Sequence, residues 1–152
     1  MRLAGARGAV VLEPADALAL WTDPRRWPAF IEGFGHVLEV GESWPDTGSK
    51  AVWDSIPGGR GRVTEVVLER EEARLVTQVF EEALAGTQTC RVLPAPADGG
   101  SIVELTLEYE LGGGGPFRGI ADAVFIRRAL RDALRRTVRR FAVEAEEEAG
   151  LR

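Results

Sequence analysis

The sequence predicts an α+β domain: a seven-stranded antiparallel sheet curled around one long C-terminal helix, with two short helices after the first strand. Three observations predict it. Residues 116–148 carry apolar side chains at spacings of three and four, the period of a helix. The span from His36 to Leu111 instead alternates with period two between turn signals, the period of strands. The connections between those strands are too short for crossovers, so neighbours must be antiparallel.

Taken in order, Arg2 to Glu13 contains Ala9-Val10-Val11-Leu12 and reads as a first strand. Pro14 to Thr22 reads as a short helix, with proline in its first turn and Asp16 near the positive end of its dipole. Asp23-Pro24 stops it, because the residue before proline is pushed out of helical geometry. Trp27 to Glu32 reads as a second helical turn, ended by Gly33 and Gly35. Strands follow at His36–Val40, Lys50–Ile56, Arg62–Arg70, Arg74–Glu82, Thr87–Leu93 and Ser101–Leu111. Pro45-Asp46-Thr47-Gly48, Pro57-Gly58-Gly59, Glu71-Glu72, Ala85-Gly86 and Asp98-Gly99-Gly100 mark the turns between them. In the last strand Val103, Leu105, Leu107, Tyr109 and Leu111 alternate with Glu104, Thr106, Glu108 and Glu110, one face buried and one wet.

The long helix starts at Pro116, after Gly112-Gly113-Gly114-Gly115, and Gly150 lies where a stop is expected. Ile126, Leu130, Leu134, Val138, Phe141 and Ala145 form one apolar stripe. In the first half Phe117, Ile120, Ala121, Ala123, Val124, Phe125 and Ile126 cover most of the circumference and call for cover on several sides. The short helices, side chains or a ligand can supply it.

At 152 residues the chain is expected to be a single domain, residues 1–152, with a real core. The apolar share of 45% and charged share of 28% are ordinary for a globular protein. Cys90 is the only cysteine, which excludes an internal disulfide and fits a reducing, cytoplasmic setting. No apolar signal region and no membrane-length apolar run is found. A net charge of −5 argues against nucleic acid as a partner. Asparagine is absent, and of nineteen basic residues Lys50 alone is lysine, a bias that GC-rich coding explains.

The candidates for chemistry are few. His36, the only histidine, has no identifiable partner for base catalysis. Cys90 lies in no nucleophile motif and reads as a small buried strand residue. One histidine and one cysteine cannot supply the usual ligands of a zinc site, so no metal and no cofactor are expected. Glu81 and Glu82 are adjacent on a strand and point to opposite faces, a poor acid/base pair. The glycine run lacks the Gly-Lys-Ser/Thr ending of a phosphate loop and reads as a hinge. Ser55 lies in no Gly-x-Ser-x-Gly elbow. Trp27, Phe30, Phe34, Trp53, Phe80, Phe117 and Phe125 are core aromatics, some of which can line a ligand cavity. Arg127, Arg128, Arg131, Arg135, Arg136, Arg139 and Arg140 read as a solvated helix face, with Asp132 placed to pair with Arg135 and Arg136. Glu144, Glu146, Glu147 and Glu148 sit at the negative end of the helix dipole, where fraying is expected.

The order of elements resembles the START-like, helix-grip superfamily, also called SRPBCC, over nearly the whole chain. The residues that carry the resemblance are Asp23-Pro24-Arg25-Arg26-Trp27-Pro28-Ala29-Phe30, Gly61-Arg62-Val63-Thr64-Glu65-Val66, Gly99-Gly100-Ser101 and Gly115-Pro116-Phe117. The superfamily includes polyketide cyclases/dehydrases, plant pollen-allergen relatives and lipid-transfer domains, and implies a deep, mostly apolar cavity between sheet and long helix. Its aromatase/cyclases of bacterial aromatic polyketide synthesis are similar around Asp23 to Phe30, where Trp27 matches a pocket tryptophan. Alternation along Arg62 to Arg70 puts Thr64, Val66, Leu68 and Arg70 inward. Arg70 matches the cyclase arginine, but Leu68 stands where a hydroxyl is expected, Thr64 where an aromatic is, and Phe34 where a pocket tyrosine is. Two hydroxyls fewer leave a greasier cavity, which favours binding over catalysis.

The expected function is therefore binding of a hydrophobic or amphipathic small molecule, such as a lipid, polyketide or quinone, as carrier or sensor. A polyketide cyclase/dehydrase-like enzyme is the alternative. The expected wall is Trp27, Phe34, Thr64, Val66, Leu68, Arg70, Cys90, Leu107, Tyr109, Phe117, Ile120 and Val124, with Arg70 or Tyr109 as the orienting polar contact. No stable membrane insertion is expected, and the chain is expected to be a monomer or homodimer.

Overall fold

The computed structural model describes residues 1–95, 99–112 and 120–152, with helix side chains described from Ala123 onward. β1 (Arg2–Val10) leads into α1 (Pro14–Trp21) and α2 (Trp27–Phe30). β2 (Phe34–Val40), β3 (Lys50–Ser55), β4 (Arg62–Glu71), β5 (Arg74–Phe80), β6 (Leu84–Pro94) and β7 (Ser101–Leu111) follow, and α3 (Ile120–Gly150) ends the chain. The strands form one sheet in the order β1-β7-β6-β5-β4-β3-β2, antiparallel throughout. Hairpins join β2 through β7 in sequence, and β1 closes on β7, which leaves β1 and β2 as the edges.

One face of the sheet is covered by the helices. Val103, Leu105, Leu107 and Tyr109 of β7 are buried on it, and the alternating glutamates lie on the other face, as the period-two pattern requires. From α3 the stripe Leu130, Leu134, Val138, Phe141 and Ala145 is buried against the sheet and the short helices. α3 runs close over β1 at Gly8, where a Cβ would stand 2.8 Å from Val138 Cγ1, so any side chain there would push the helix off the strand.

The elements differ from the expected ones in several places, among them that β2 begins at Phe34 and β5 ends at Phe80, which leaves Glu81 and Glu82 outside the strand. β1 ends at Val10, because Ser101 Oγ donates to the Leu12 carbonyl at 2.6 Å and turns the chain toward α1. β6 begins at Leu84, so Ala85-Gly86 belongs to the strand and not to a turn. Gly86 is there because β7 passes close: a Cβ would lie 2.2 Å from the Glu108 carbonyl oxygen. The acidic end of α3 does not fray. Arg26, just before α2, donates to Glu144 at 2.7 Å and to Glu148 at 2.6 Å, so helix continues to Gly150. These bonds hold the Glu148 carboxyl below the usual range and raise Arg26 above its own. Asp132 is exposed without an ion pair among the described residues, and Arg136 and Arg140 reach Glu32 instead, at 3.7 and 3.2 Å.

The first half of α3 also departs from expectation. Val124 is 44% and Phe125 72% exposed, so among the described residues that end is not covered on all sides. The expected helix start at Pro116 lies outside the described residues.

Candidate functional site

The chain has four tryptophans, and all four line one cavity between the sheet and α3. α1 supplies Trp21, α2 Trp27, β3 Trp53, and the β2–β3 connection Trp44. Each is fixed by a specific contact. The Trp27 indole N–H donates to the Trp21 carbonyl at 2.9 Å, and its ring meets Trp44 edge-on at 5.7 Å. Trp44 donates to the Thr22 carbonyl at 2.9 Å, which lays the β2–β3 connection over the end of α1. Trp53 stacks on Phe34 at 5.1 Å. From α3, Leu134 and Thr137 complete the wall, and the Thr137 hydroxyl accepts the Glu32 N–H at 3.0 Å.

A polar cluster forms the sheet side of the same cavity. Glu65 of β4 accepts hydrogen bonds at Oε1 from Thr77 Oγ1 at 3.0 Å and Gln88 Nε2 at 3.4 Å. Its Oε2 accepts none among the described residues. Arg60, in the turn before β4, grips Glu81 with two hydrogen bonds, at 2.8 and 2.5 Å, and lies over the Trp53 ring at 5.4 Å. Burial, which alone would lower Arg60, is outweighed by Glu81, so its pKa stands above the ordinary value. Glu65 is the opposite case. Burial drives its pKa up, the Glu81 charge adds to that, and Arg60, Thr77 and Trp53 oppose it without prevailing. The Trp53 indole N–H acts on the Glu65 charge but closes no well-formed hydrogen bond; with Ser55 Oγ and Tyr109 Oη it is buried without a partner among the described residues.

The cavity encloses about 30 Å³. That is close to the share of one molecule in liquid water. Pockets that enclose drug-sized ligands run to roughly 300–1,000 Å³. The space expected between sheet and helix is therefore filled mostly by aromatic side chains, and what remains is more polar than a greasy cavity.

Of the twelve expected wall residues, only Trp27 lines this cavity among the described residues. Phe34 backs it by stacking on Trp53. Cys90, Leu107 and Tyr109 are buried on the same face of the sheet but do not line it. Burial pushes the Cys90 thiol up to about 12, with the Glu65 charge adding to it. Phe117 and the Ile120 side chain lie outside the described residues, and Val124 is turned to solvent. On β4 the expected inward set of Thr64, Val66, Leu68 and Arg70 is off by one residue. Val63 and Val67 are each 1% exposed and flank Glu65 on the inner face, while Leu68 is 43% exposed. The physical reason is that charge-out patterning turned Glu65 outward, whereas Thr77, Gln88 and Arg60 compensate it within. A bulge between Val67 and Glu69 then breaks the alternation. Arg70 follows the bulge at the sheet end, exposed, 3.6 Å from Asp46 and beside α1. His36 is exposed, 3.8 Å from Asp54, away from the cavity.

Sequence reasoning missed Glu65, Arg60, Gln88 and Trp44. The available signal for Glu65 was its place midway between Val63 and Val67, two residues from each. Trp44 carries no periodic signal, because it lies in an irregular connection.

An open antiparallel sheet with a long C-terminal helix across it and a pocket between the two defines a helix-grip domain of the START-like class. Residues 9–146 match the family model described as "Polyketide cyclase / dehydrase and lipid transport", and the chain belongs to that family. Among curated proteins none matches. Among solved structures the chain is similar to TTHA0849 from Thermus thermophilus (TM-score 0.76, 16% identity, 97% of this chain and 99% of that one). It is also similar to the di-domain ARO/CYC StfQ from the steffimycin biosynthetic pathway (TM-score 0.76, 18% identity), covering 97% of this chain and 51% of that one. A START superfamily protein from Mycobacterium smegmatis aligns with TM-score 0.73 at 12% identity, over 95% of this chain and 97% of that one. No helix among the described residues is long and apolar enough to cross a membrane.

Proposed function

We propose that this protein binds a small amphipathic molecule at the tryptophan-lined cavity, as a carrier or sensor, with Trp44 as the group that moves aside to admit it. One observation carries the reading: all four tryptophans converge on one cavity with Glu65, a half-buried carboxyl whose Oε2 accepts no hydrogen bond among the described residues. A domain that needs only a core has no use for a carboxyl there. The free space is small and suits a polar head, and on this reading the apolar body takes the place where Trp44 now stands. Trp44 is half-buried, the least buried of the four, and one side-chain hydrogen bond ties it to the Thr22 carbonyl at the end of α1.

The test is native mass spectrometry of freshly purified protein, followed by melting-temperature shifts with fatty acids, quinones and aromatic polyketides. A stoichiometric co-purified mass, or a shift that grows with ligand concentration, is the expected result. Trp44→Ala is expected to speed association at least tenfold. No bound mass and no shift with any of these three classes or with an amphipathic amine overturns the reading.

A second reading, a cyclase/dehydrase-like enzyme, is favoured by Glu65 itself, a buried carboxyl whose raised pKa suits it to take and return a proton. In that reading Glu65, not Arg70, is the acid/base group. Turnover of a model polyketone that Glu65→Gln abolishes would favour it over a carrier.

A further inference from the structure

The charges around the cavity do not balance. Glu65 and Glu81 bring two carboxylates and Arg60 one guanidinium, and Arg60 spends both of its hydrogen bonds on Glu81. Glu65 is left with two neutral donors, Thr77 and Gln88, both on Oε1. The other walls are the rings of Trp21, Trp27, Trp44 and Trp53, whose negative faces attract cations, as Trp53 already does toward Arg60 at 5.4 Å. With Glu65 ionised, a site with one excess negative charge, one carboxylate oxygen without a donor among the described residues and aromatic walls is complementary to a cation. Its size restricts which one. About 30 Å³ of free space favours a compact head over a bulky one. A primary ammonium is the more compact, and a trimethylammonium the bulkier.

We infer that the cavity seats the primary ammonium group of an amphipathic amine, between the Glu65 carboxyl and the tryptophan rings, with the apolar body of the ligand in the place that Trp44 gives up. This rests on the reading of the cavity as a ligand site and names the chemical class of that ligand. The ammonium supplies three donors, which satisfy Glu65 Oε2 and leave two for the Gln88 side-chain carbonyl and a water. The raised pKa of Glu65 is consistent with this, since Arg60 offsets the effect of burial only in part and a bound cation would add to it.

All four tryptophans surround the site, so intrinsic fluorescence reads its occupancy directly. Four probes share one body and differ in the head: 3-phenylpropylamine, its N,N,N-trimethyl derivative, 3-phenylpropan-1-ol and 3-phenylpropionate. The wild-type protein is expected to bind the primary amine at least tenfold tighter than each of the other three. Glu65→Gln is expected to bring the amine to the level of the alcohol and to leave the alcohol unchanged. Equal or tighter binding of the alcohol, the carboxylate or the trimethyl compound overturns the inference while the ligand-site reading stands. No fluorescence response to any of the four overturns both. The wild-type ranking decides the matter even if Glu65→Gln does not fold.

Discussion

Two parts of the same interior are built on opposite rules. Where α3 crosses β1 and β7, the contact is apolar and closed: Phe141 is 1% exposed, Val138 3%, Val103 0%. Phe141 meets Phe30 and Trp21 edge-on, at 5.0 and 5.3 Å. Across β3 to β6 the interior holds Arg60, Glu65, Thr77, Gln88 and Glu81, with a void between them and the helix. The first region is what a helix gripped by a sheet needs to be stable. The second adds nothing to stability that apolar residues of the same volume would not add. The contrast separates scaffold from site inside one core.

The largest effect expected from breaking this contrast lies in the closed region. Phe141→Ala removes a ring that two other aromatics enclose, and a site so well packed cannot collapse around the loss. It is expected to cost about 3–5 kcal/mol, read by urea denaturation. The discrimination among amine, alcohol and carboxylate should survive in the fraction that stays folded. A cost under about 1 kcal/mol would mean the closed region is looser than its burial implies.

That division also explains what the sequence revealed. The closed region was legible because it follows period: 3.6 along Leu130, Leu134, Val138 and Phe141, and 2 along Val103, Leu105 and Leu107. The antiparallel succession of β2 to β7 followed from short connections, and the family resemblance agreed with it; the place of β1 beside β7 did not follow from them. The site was hardly legible, because it breaks the rules that make sequences readable. Glu65 is a charge on a buried face, Trp44 and Arg60 sit in irregular connections, and the bulge after Val67 shifts the phase of β4. Trp27 was found because it stands in the Asp23–Phe30 segment. Arg26, in that same segment, proved to be a structural clamp on the end of α3.

A smaller effect is expected at Cys90, on the border between the two regions. Burial, and then the Glu65 charge, raise its folded pKa to about 12 from an ordinary value of 9.0. A thiol of raised pKa is favoured in its neutral form by folding. Its contribution is complete below pH 9 and is lost as pH rises from 9 toward 12, at about 1.4 kcal/mol per unit. Just above pH 9 the stability of the wild type should fall more steeply than that of Cys90→Ala. Parallel slopes would show that the thiol is not desolvated. Below pH 9 the same burial should leave the folded protein inert to thiol reagents.

The smallest effect sharpens the comparison most. Glu65 has a folded pKa above the ordinary carboxylate value, so folding favours its protonated form. Its contribution is complete at pH values below the unfolded pKa and is lost as pH rises through the folded one. The groups that face it are Arg60, Glu81, Thr77, Gln88, Trp53 and Cys90, and of these only Arg60 is a cation, already held by Glu81. Glu65→Gln keeps the shape, can still accept from Thr77, and has no charge to bury. It should be more stable than the wild type at neutral pH by about 1 kcal/mol, with a flatter profile of stability against pH above the carboxylate range. The primary amine probe should reverse the ordering, raising the melting temperature of the wild type and not of Glu65→Gln, because only the wild type gains an ion pair. A charge that costs stability when the site is empty and gains a partner when it is filled belongs to function. If Glu65→Gln instead destabilises the protein at every pH, with or without amine, Glu65 is part of the scaffold and the cavity beside it is a packing fault.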